Sequence, residues 1–300
     1  MIGSLDRRQF LAAGTALCAS AWLADRARSA PAPRKRNLKK AVGIGMIQIK
    51  GSLRQQFQVV KECGFDGVEL EAPSDLAPDQ VQEALQASGL AVSEVVDSKH
   101  WTVPLTDPDA AVRAKGRDAL VAALEAAARF GATSVLLVPG IVDKQVSYDQ
   151  AWERSVAEIK AVLPVAEKCG VTIAIENVWN DFLLSPLEAA RYVDQFASPW
   201  VGFHFDVGNV VTFGFPEQWI RILGPRIKKL HIKEFSRKKR DDLGLWKGFD
   251  VELGEGDCDW PAVMTALDDI HYQGWATAEV KGGDATRLRA LAARMDLLFT

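Results

Sequence analysis

The chain is expected to fold as a single-domain α/β protein, a (β/α)8 barrel, and three observations carry that expectation. From residue 41 onward, apolar runs of strand length alternate with longer amphipathic stretches, each pair taking roughly thirty residues, as the barrel repeat requires. Five helix-to-strand junctions repeat one stop signal, a glycine just before an apolar run: Gly64, Gly89, Gly131, Gly170 and Gly274. An open doubly wound sheet would place a Gly-rich phosphate turn after its first strand, and Ile47-Gln-Ile-Lys-Gly51 has none.

Taken in order, the strands are expected at Val42–Ile49, Gly67–Leu70, Ala91–Val96, Ser134–Val138, Val171–Ile175, Val201–Phe205, Ile227–Ile232 and Trp275–Val280. The fifth is apolar on both faces and rich in β-branched residues, which is the signature of a strand buried in a parallel sheet. Helical periodicity fills the intervals at Leu53–Cys63, Pro78–Ala87, Ala110–Phe130, Tyr148–Lys168, Pro186–Phe196 and Trp260–Ile270, with a last helix near Ala285–Leu298. The basic run Arg237-Lys-Lys-Arg240, followed by Asp241-Asp242, reads as a solvated loop. No low-complexity segment interrupts residues 41–300, so they form one domain.

Ahead of the barrel lies an export signal. Leu5-Asp-Arg-Arg-Gln-Phe-Leu11 sets paired arginines before Phe-Leu, a mildly apolar Ala-rich run follows to Leu23, and small residues surround Ala27–Ala30. Residues 1–33 resemble a twin-arginine signal, so the chain is expected to meet that export machinery and to work in the periplasm or beyond. Residues 34–40 read as a basic linker. The apolar run is shorter than the roughly 20 residues a bilayer span needs, so no membrane anchor is expected.

The chain is 48% hydrophobic and 25% charged, enough apolar material for one large core. Its net charge is −3, and the leader holds two more positive than negative charges, so the remainder carries −5. A mildly acidic body argues against a nucleic-acid partner. Beyond Cys18 three cysteines remain, an odd number that implies no disulfide framework.

Four groups of metal-ligating type fall at the carboxyl ends of consecutive strands: Glu176, Asp206, His231 and Glu279. In parallel α/β barrels that end carries the chemistry. Three carboxylates converging on one mouth repel one another unless a cation is shared, and with one imidazole they suit a hard or borderline divalent ion. Manganese is the first expectation, with magnesium, cobalt or zinc as alternatives. Alternation along the sixth strand puts His204 one layer below Asp206. His100-Trp101, Trp179, Lys233 and Glu69 sit where barrel loops meet a substrate.

These stretches resemble the xylose isomerase-like TIM barrel proteins, in particular the sugar phosphate isomerase/epimerase group with its ketose 3-epimerases and L-xylulose-5-phosphate 3-epimerases. The resemblance covers residues 41–300 and rests on Ile175-Glu-Asn-Val-Trp-Asn180, Phe205-Asp-Val-Gly-Asn209, Leu230-His-Ile-Lys-Glu234 and Ala278-Glu-Val-Lys281, with Gly254-Glu-Gly-Asp-Cys-Asp-Trp260 as a further familiar stretch. It implies that Glu176, Asp206, His231 and Glu279 are the metal ligands, that Arg237 contacts substrate, and that such barrels often pair as homo-oligomers. Two positions depart from the epimerase pattern: Asn209 stands where a substrate-binding histidine would be, and Phe182 where a glutamate would be.

The expected activity is therefore a divalent-metal-dependent sugar epimerase or aldose–ketose isomerase working through a metal-bound enediolate, with Glu176 and Glu279 exchanging the proton from opposite faces of a keto-sugar. A lyase on 3-keto-glycosides uses the same metal and base. A periplasmic sugar-binding protein without catalysis is the reading from another class, and metal content separates it from the enzymes.

Overall fold

Eight parallel strands close into one barrel, each hydrogen-bonded to its sequence neighbours and the last to the first. They are β1 (Leu38–Gly43), β2 (Gly67–Ala72), β3 (Ala91–Asp97), β4 (Ser134–Leu137), β5 (Thr172–Glu176), β6 (Val201–Asp206), β7 (Ile227–Ile232) and β8 (Gly274–Ala278). The computed structural model describes residues 36–300, and Arg36–Phe299 form one compact unit; the expected export signal lies outside the described residues.

The helices are α1 (Leu53–Glu62), α2 (Pro78–Ser88), α3 (Ala110–Phe130), α4 (Tyr148–Cys169), α5 (Pro186–Asp194), α6 (Pro216–Leu223), α7 (Arg237–Leu243), α8 (Trp260–Asp269) and α9 (Ala285–Leu298). Their termini follow local chemistry. Ser52 and Gln55 form a reciprocal capping box at the start of α1, and the Asp109 carboxylate accepts from the Ala111 amide at the start of α3. Gly131 and Gly170 end α3 and α4 in left-handed backbone at φ +76° and +67°, where a side chain costs energy.

β6 shows how the core and the site share one strand. Phe203 and Phe205 are fully buried toward the helices, with the Phe205 ring 6.3 Å from Trp219, while the alternate residues His204 and Asp206 turn into the barrel. Each buried phenylalanine contributes roughly 2 kcal/mol of apolar transfer energy. The apolar half of the strand thus fixes the polar half.

Four elements differ from expectation. β1 begins at Leu38, so residues 38–40 belong to the barrel and not to a linker; Lys39 and Lys40 disguise a strand whose partner is β8, from Leu38 opposite Gly274 to Val42 opposite Ala278. The Lys40 ammonium bonds the Ala292 carbonyl at 3.3 Å and Asp296 at 2.7 Å. The apolar residues Ile44–Met46 form a 3-10 turn instead of extending the strand, and the loop after them is tied to the eighth strand's loop by hydrogen bonds of 3.0 Å between Met46, Gln48 and Gly283. α6 was not anticipated. The basic run reads as helix α7 in the structure, its first turn capped by the Ser236 hydroxyl on the Lys239 amide. Among the described residues no helix is long and apolar enough to cross a membrane.

Candidate metal and active site

Strand register assembles the site. Glu176 pairs with His204 across β5 and β6, Asp206 with His231 across β6 and β7, and His231 with Thr277 across β7 and β8. Glu279 lies one residue past β8, and its amide donates to the Ile232 carbonyl at 3.1 Å, which keeps it in line with the strand ends. One ligand atom from each of Glu176, Asp206, His231 and Glu279 falls within 4.8 Å of the others.

His231 is the hub. Its Nδ1 lies 3.1 Å from Glu176 Oε1, 2.9 Å from Glu279 Oε2 and 4.0 Å from Asp206 Oδ2, and its Nε2 lies 2.8 Å from Glu69 Oε2. Lys233, two residues on, sets its ammonium 2.7 Å from Glu279 Oε2 and 3.1 Å from Asp206 Oδ2. Asn177, which sequence reasoning did not single out, fixes the neighbouring strand ends: its side-chain amide donates to the Asp206 carbonyl and accepts from the Asp206 amide, each at 2.9 Å.

Burial and crowding perturb these acids in opposite directions. Burial lifts Glu69 to about 8 against the pull of His231. Burial, reinforced by Glu279 and Glu176, raises Asp206 to about 7 although Lys233 opposes it. For Glu279 burial would act upward, but Lys233 and His231 outweigh it and hold the carboxyl well below its usual range. His231 is depressed by burial and lifted further by Glu69 and Glu279, ending well above the ordinary histidine value.

The residues fit a divalent cation. Asp206 Oδ2 and Glu279 Oε2 are buried oxygens with no hydrogen bond of normal geometry, although Glu279 as a side chain is 43% exposed. Buried acceptors are normally satisfied, and an oxygen-rich set with one imidazole is the donor set of a hard or borderline metal.

The cluster opens into a cavity of about 750 Å³ whose lining includes Glu69, His100, Trp101, Trp179, Asn209 and Lys233, all expected near substrate. His100 is buried, and desolvation lowers its pKa to about 4, so the ring is neutral at physiological pH. Its Nδ1 accepts from the Val138 amide at 3.4 Å, which leaves Nε2–H as a donor. Trp101 is half exposed at the mouth. Trp179 donates its indole N–H to the Asn209 carbonyl at 2.8 Å, and the Asn209 amide donates to Asn177 O at 2.9 Å. Arg237 was expected among the sugar contacts, but it lies outside this lining: its guanidinium bonds the Val211 and Gly214 carbonyls, each at 3.0 Å, and sits over the Phe215 ring.

Beneath the cluster is a layer that sequence reasoning half found. His204, fully buried, pairs through Nδ1 with Glu94 Oε2 at 2.7 Å, and Thr277 lies 3.3 Å from Glu94 Oε1. Glu94 was missed because it sits inside a strand; a carboxylate in the middle of the strand run Val92-Ser-Glu-Val-Val96 was the available signal. A bulge between Val68 and Glu69 sets Glu69 opposite Glu94 and re-aims it toward His231.

Known proteins agree with this architecture. L-ribulose-5-phosphate 3-epimerase UlaE of Escherichia coli O1:K1 / APEC is 25% identical over 254 residues, 78% of this chain and 87% of that protein. D-psicose 3-epimerase from Clostridium cellulolyticum H10, solved with D-tagatose, superposes with a TM-score of 0.70 at 19% identity over 87% of this chain and 98% of that one. The E. coli 3-keto-D-glucoside 4-epimerase YcjR gives 0.71 at 18% identity with the same coverage, 87% and 98%. The sequence pattern of the xylose isomerase-like TIM barrel matches residues 57–298, and the chain belongs to that family.

Proposed function

We propose that the protein is a divalent-metal-dependent epimerase or isomerase acting on a non-phosphorylated keto-sugar. The observation that carries this reading is the pair of carboxylates, Glu176 and Glu279, that meet His231 Nδ1 at 3.1 and 2.9 Å and line one sugar-sized cavity. Epimerase names among the relatives support it.

A divalent ion held by Glu176, Asp206, His231 and Glu279 would supply the Lewis acidity that makes a C–H beside a carbonyl removable. Glu176 takes that proton as general base; the C–H electron pair becomes a C=C bond and the carbonyl pair moves onto oxygen, giving an enediolate. Glu279, held ionised by Lys233 and His231 and open to solvent, takes a proton from water and delivers it from the opposite face, the hydroxide left being neutralised when Glu176 later gives its proton to solvent. Return to the same carbon inverts it; return to the neighbouring carbon converts ketose to aldose. Lys233 neutralises part of the charge between Asp206 and Glu279, and His100 offers a neutral N–H to a sugar oxygen.

Lining charges favour a substrate without phosphate. Seven carboxylates face two lysines, Lys233 and Lys281, around the cavity, and Lys233 is already paired twice. A phosphate dianion would meet net repulsion there. Export of the chain is consistent with that preference, because residues 1–33 carry the twin-arginine pattern Arg7-Arg8-Gln-Phe-Leu. Replacing Arg7 and Arg8 by lysine should strand the precursor in the cytoplasm, read by cell fractionation.

The decisive experiment is metal analysis of the purified protein beside His231→Ala and Glu176→Gln, followed by solvent deuterium exchange into ketoses, ketose phosphates and 3-keto-glycosides. Bound divalent metal that His231→Ala loses, and exchange into a neutral sugar that Glu176→Gln abolishes, are the expected results. Exchange confined to phosphorylated sugars would reject the substrate assignment, and a metal-free protein without exchange would reject the enzyme.

A further inference from the structure

The polar cavity has an apolar neighbour. A second cavity of about 210 Å³ is lined by Leu184, Phe213, Trp219 and Leu245, with Asp181 its one charged lining residue. Val178, Trp179 and Asn209 line both cavities and form their common wall. The 3-10 turn Leu245–Phe249 serves both: Leu245 lines the apolar cavity, and the next residue, Trp246, lines the polar one with its ring 4.7 Å from Trp179.

These walls are held in place. The Trp179 indole is pinned to the Asn209 carbonyl and packs 4.9 Å from Phe249. The segment carrying Thr212 and Phe213 is clamped by α7: Arg237 bonds Val211 O and Gly214 O, and Arg240 bonds Thr212 O at 2.7 Å. That gives the basic run a use, fixing the far wall of the apolar cavity. At the rim Leu184 and Phe213 are each 55% exposed and Leu245 49%, an apolar surface that gains by being covered.

We propose that the apolar cavity is an aglycone subsite, and that the substrate is a glycoside carrying a compact planar apolar group such as an aryl ring. The keto-sugar ring lies in the polar cavity against Glu176 and Glu279, and the group attached to it crosses the edge of Trp179 into the second cavity. The volume suits this: an apolar cavity of about 150 Å³ holds a benzene molecule. The two cavities lie back to back on Val178, Trp179 and Asn209, and that adjacency to the reacting site favours the aglycone as occupant over an unrelated ligand. The inference rests on the keto-sugar reading above for the identity of the first ring.

The test is equilibrium binding by calorimetry, which does not depend on turnover. Methyl and phenyl β-glucosides, unoxidised and hence unreactive, are titrated into the full-length protein, wild type beside Leu245→Asp and Phe213→Ser. Both substitutions fall on half-exposed side chains, so folding is preserved. Burying the phenyl ring should make the phenyl glucoside bind roughly tenfold or more tighter than the methyl glucoside, and the ratio should fall toward one in both variants. Equal affinities, no binding of either glucoside, or a preference unchanged in both variants would overturn the proposal. So would sedimentation showing that a second copy covers this face in the wild type and that Leu245→Asp releases it. If deuterium exchange is absent while the phenyl preference holds, the catalytic reading fails and the subsite stands.

Discussion

The Glu94–His204 pair and the Glu176–Asp206–His231–Glu279 cluster lie one layer apart inside the same barrel, the first closed beneath the second. In the lower layer one carboxylate meets one imidazole at 2.7 Å, and the His204 ring holds Glu94 at about 2 although burial alone would raise it. In the upper layer Glu69, lifted to about 8, keeps its proton at neutral pH, while Glu176 and Glu279 meet His231 and Asp206 and Glu279 meet the ammonium of Lys233. The lower pair is one acid on one imidazole, closed from solvent, with His204 Nε2 left without a partner; the upper cluster crowds four carboxylates onto one imidazole and one ammonium, opens into the cavity, and holds two buried carboxylate oxygens without a hydrogen bond of normal geometry. The number of acids and their access to the cavity, more than burial, separate the pair expected to hold the fold from the cluster proposed to take a cation.

The largest effect expected of this contrast is on Asp206→Asn. Metal affinity should fall at least roughly a hundredfold, a loss that outer-shell partners alone can cause, while the metal-free protein becomes no less stable. Metal analysis and urea denaturation read both, and a marked loss of stability without metal would break the comparison. Glu94→Leu should behave in the opposite way, costing about 3 kcal/mol by leaving His204 buried without its carboxylate. The double variant Glu94→Leu, His204→Leu should recover most of that in denaturant titration. If it does not, the lower pair is more than a buried filler.

The smallest effect lies at the rim, where burial raises Asp97 to about 6. Unfolded, the group titrates at about 3.9. The folded state therefore favours the proton, so the contribution of this group to stability is greatest below pH about 4 and falls by at most about 3 kcal/mol as pH climbs through about 6. Asp97→Asn keeps an acceptor for the Lys99 amide and should gain up to that amount at pH 8 and nothing below pH 4. A pH-independent difference would trace the effect to packing instead.

Much of this was legible in the sequence. The barrel followed from eight apolar runs and their glycine stops, because a strand buried on both faces has few alternatives. The upper cluster followed because Glu176, Asp206 and His231 each stand where an apolar strand ends, a place that composition alone marks. What escaped depends on register and on tertiary neighbours. Glu94 gains its meaning from a bulge at Val68 and Glu69, and Asn177 from hydrogen bonds to β6. β1 hid behind Lys39 and Lys40, whose charges are absorbed by Trp275, Ala292 and Asp296 from distant segments. Arg237 looked like a sugar contact and is a wall tie.

Glu234, one residue past Lys233, is buried, and its carboxylate accepts from the Gly254 and Cys258 amides and from the Trp260 indole at 2.8, 3.2 and 2.7 Å. Beside it the Ser236 amide donates to Gly248 O at 2.7 Å, and the Asp257 amide to Phe235 O at 2.8 Å. These bonds close the 237–257 excursion at its base, so the segment that walls both cavities is anchored independently of the ligand cluster. Mutational drift in Leu245, Trp246 or Phe249 can then reshape the walls of both cavities while Glu176, Asp206, His231 and Glu279 stay where β5 to β8 set them. The barrel carries a replaceable cassette, a natural starting point for directed evolution of the two cavities.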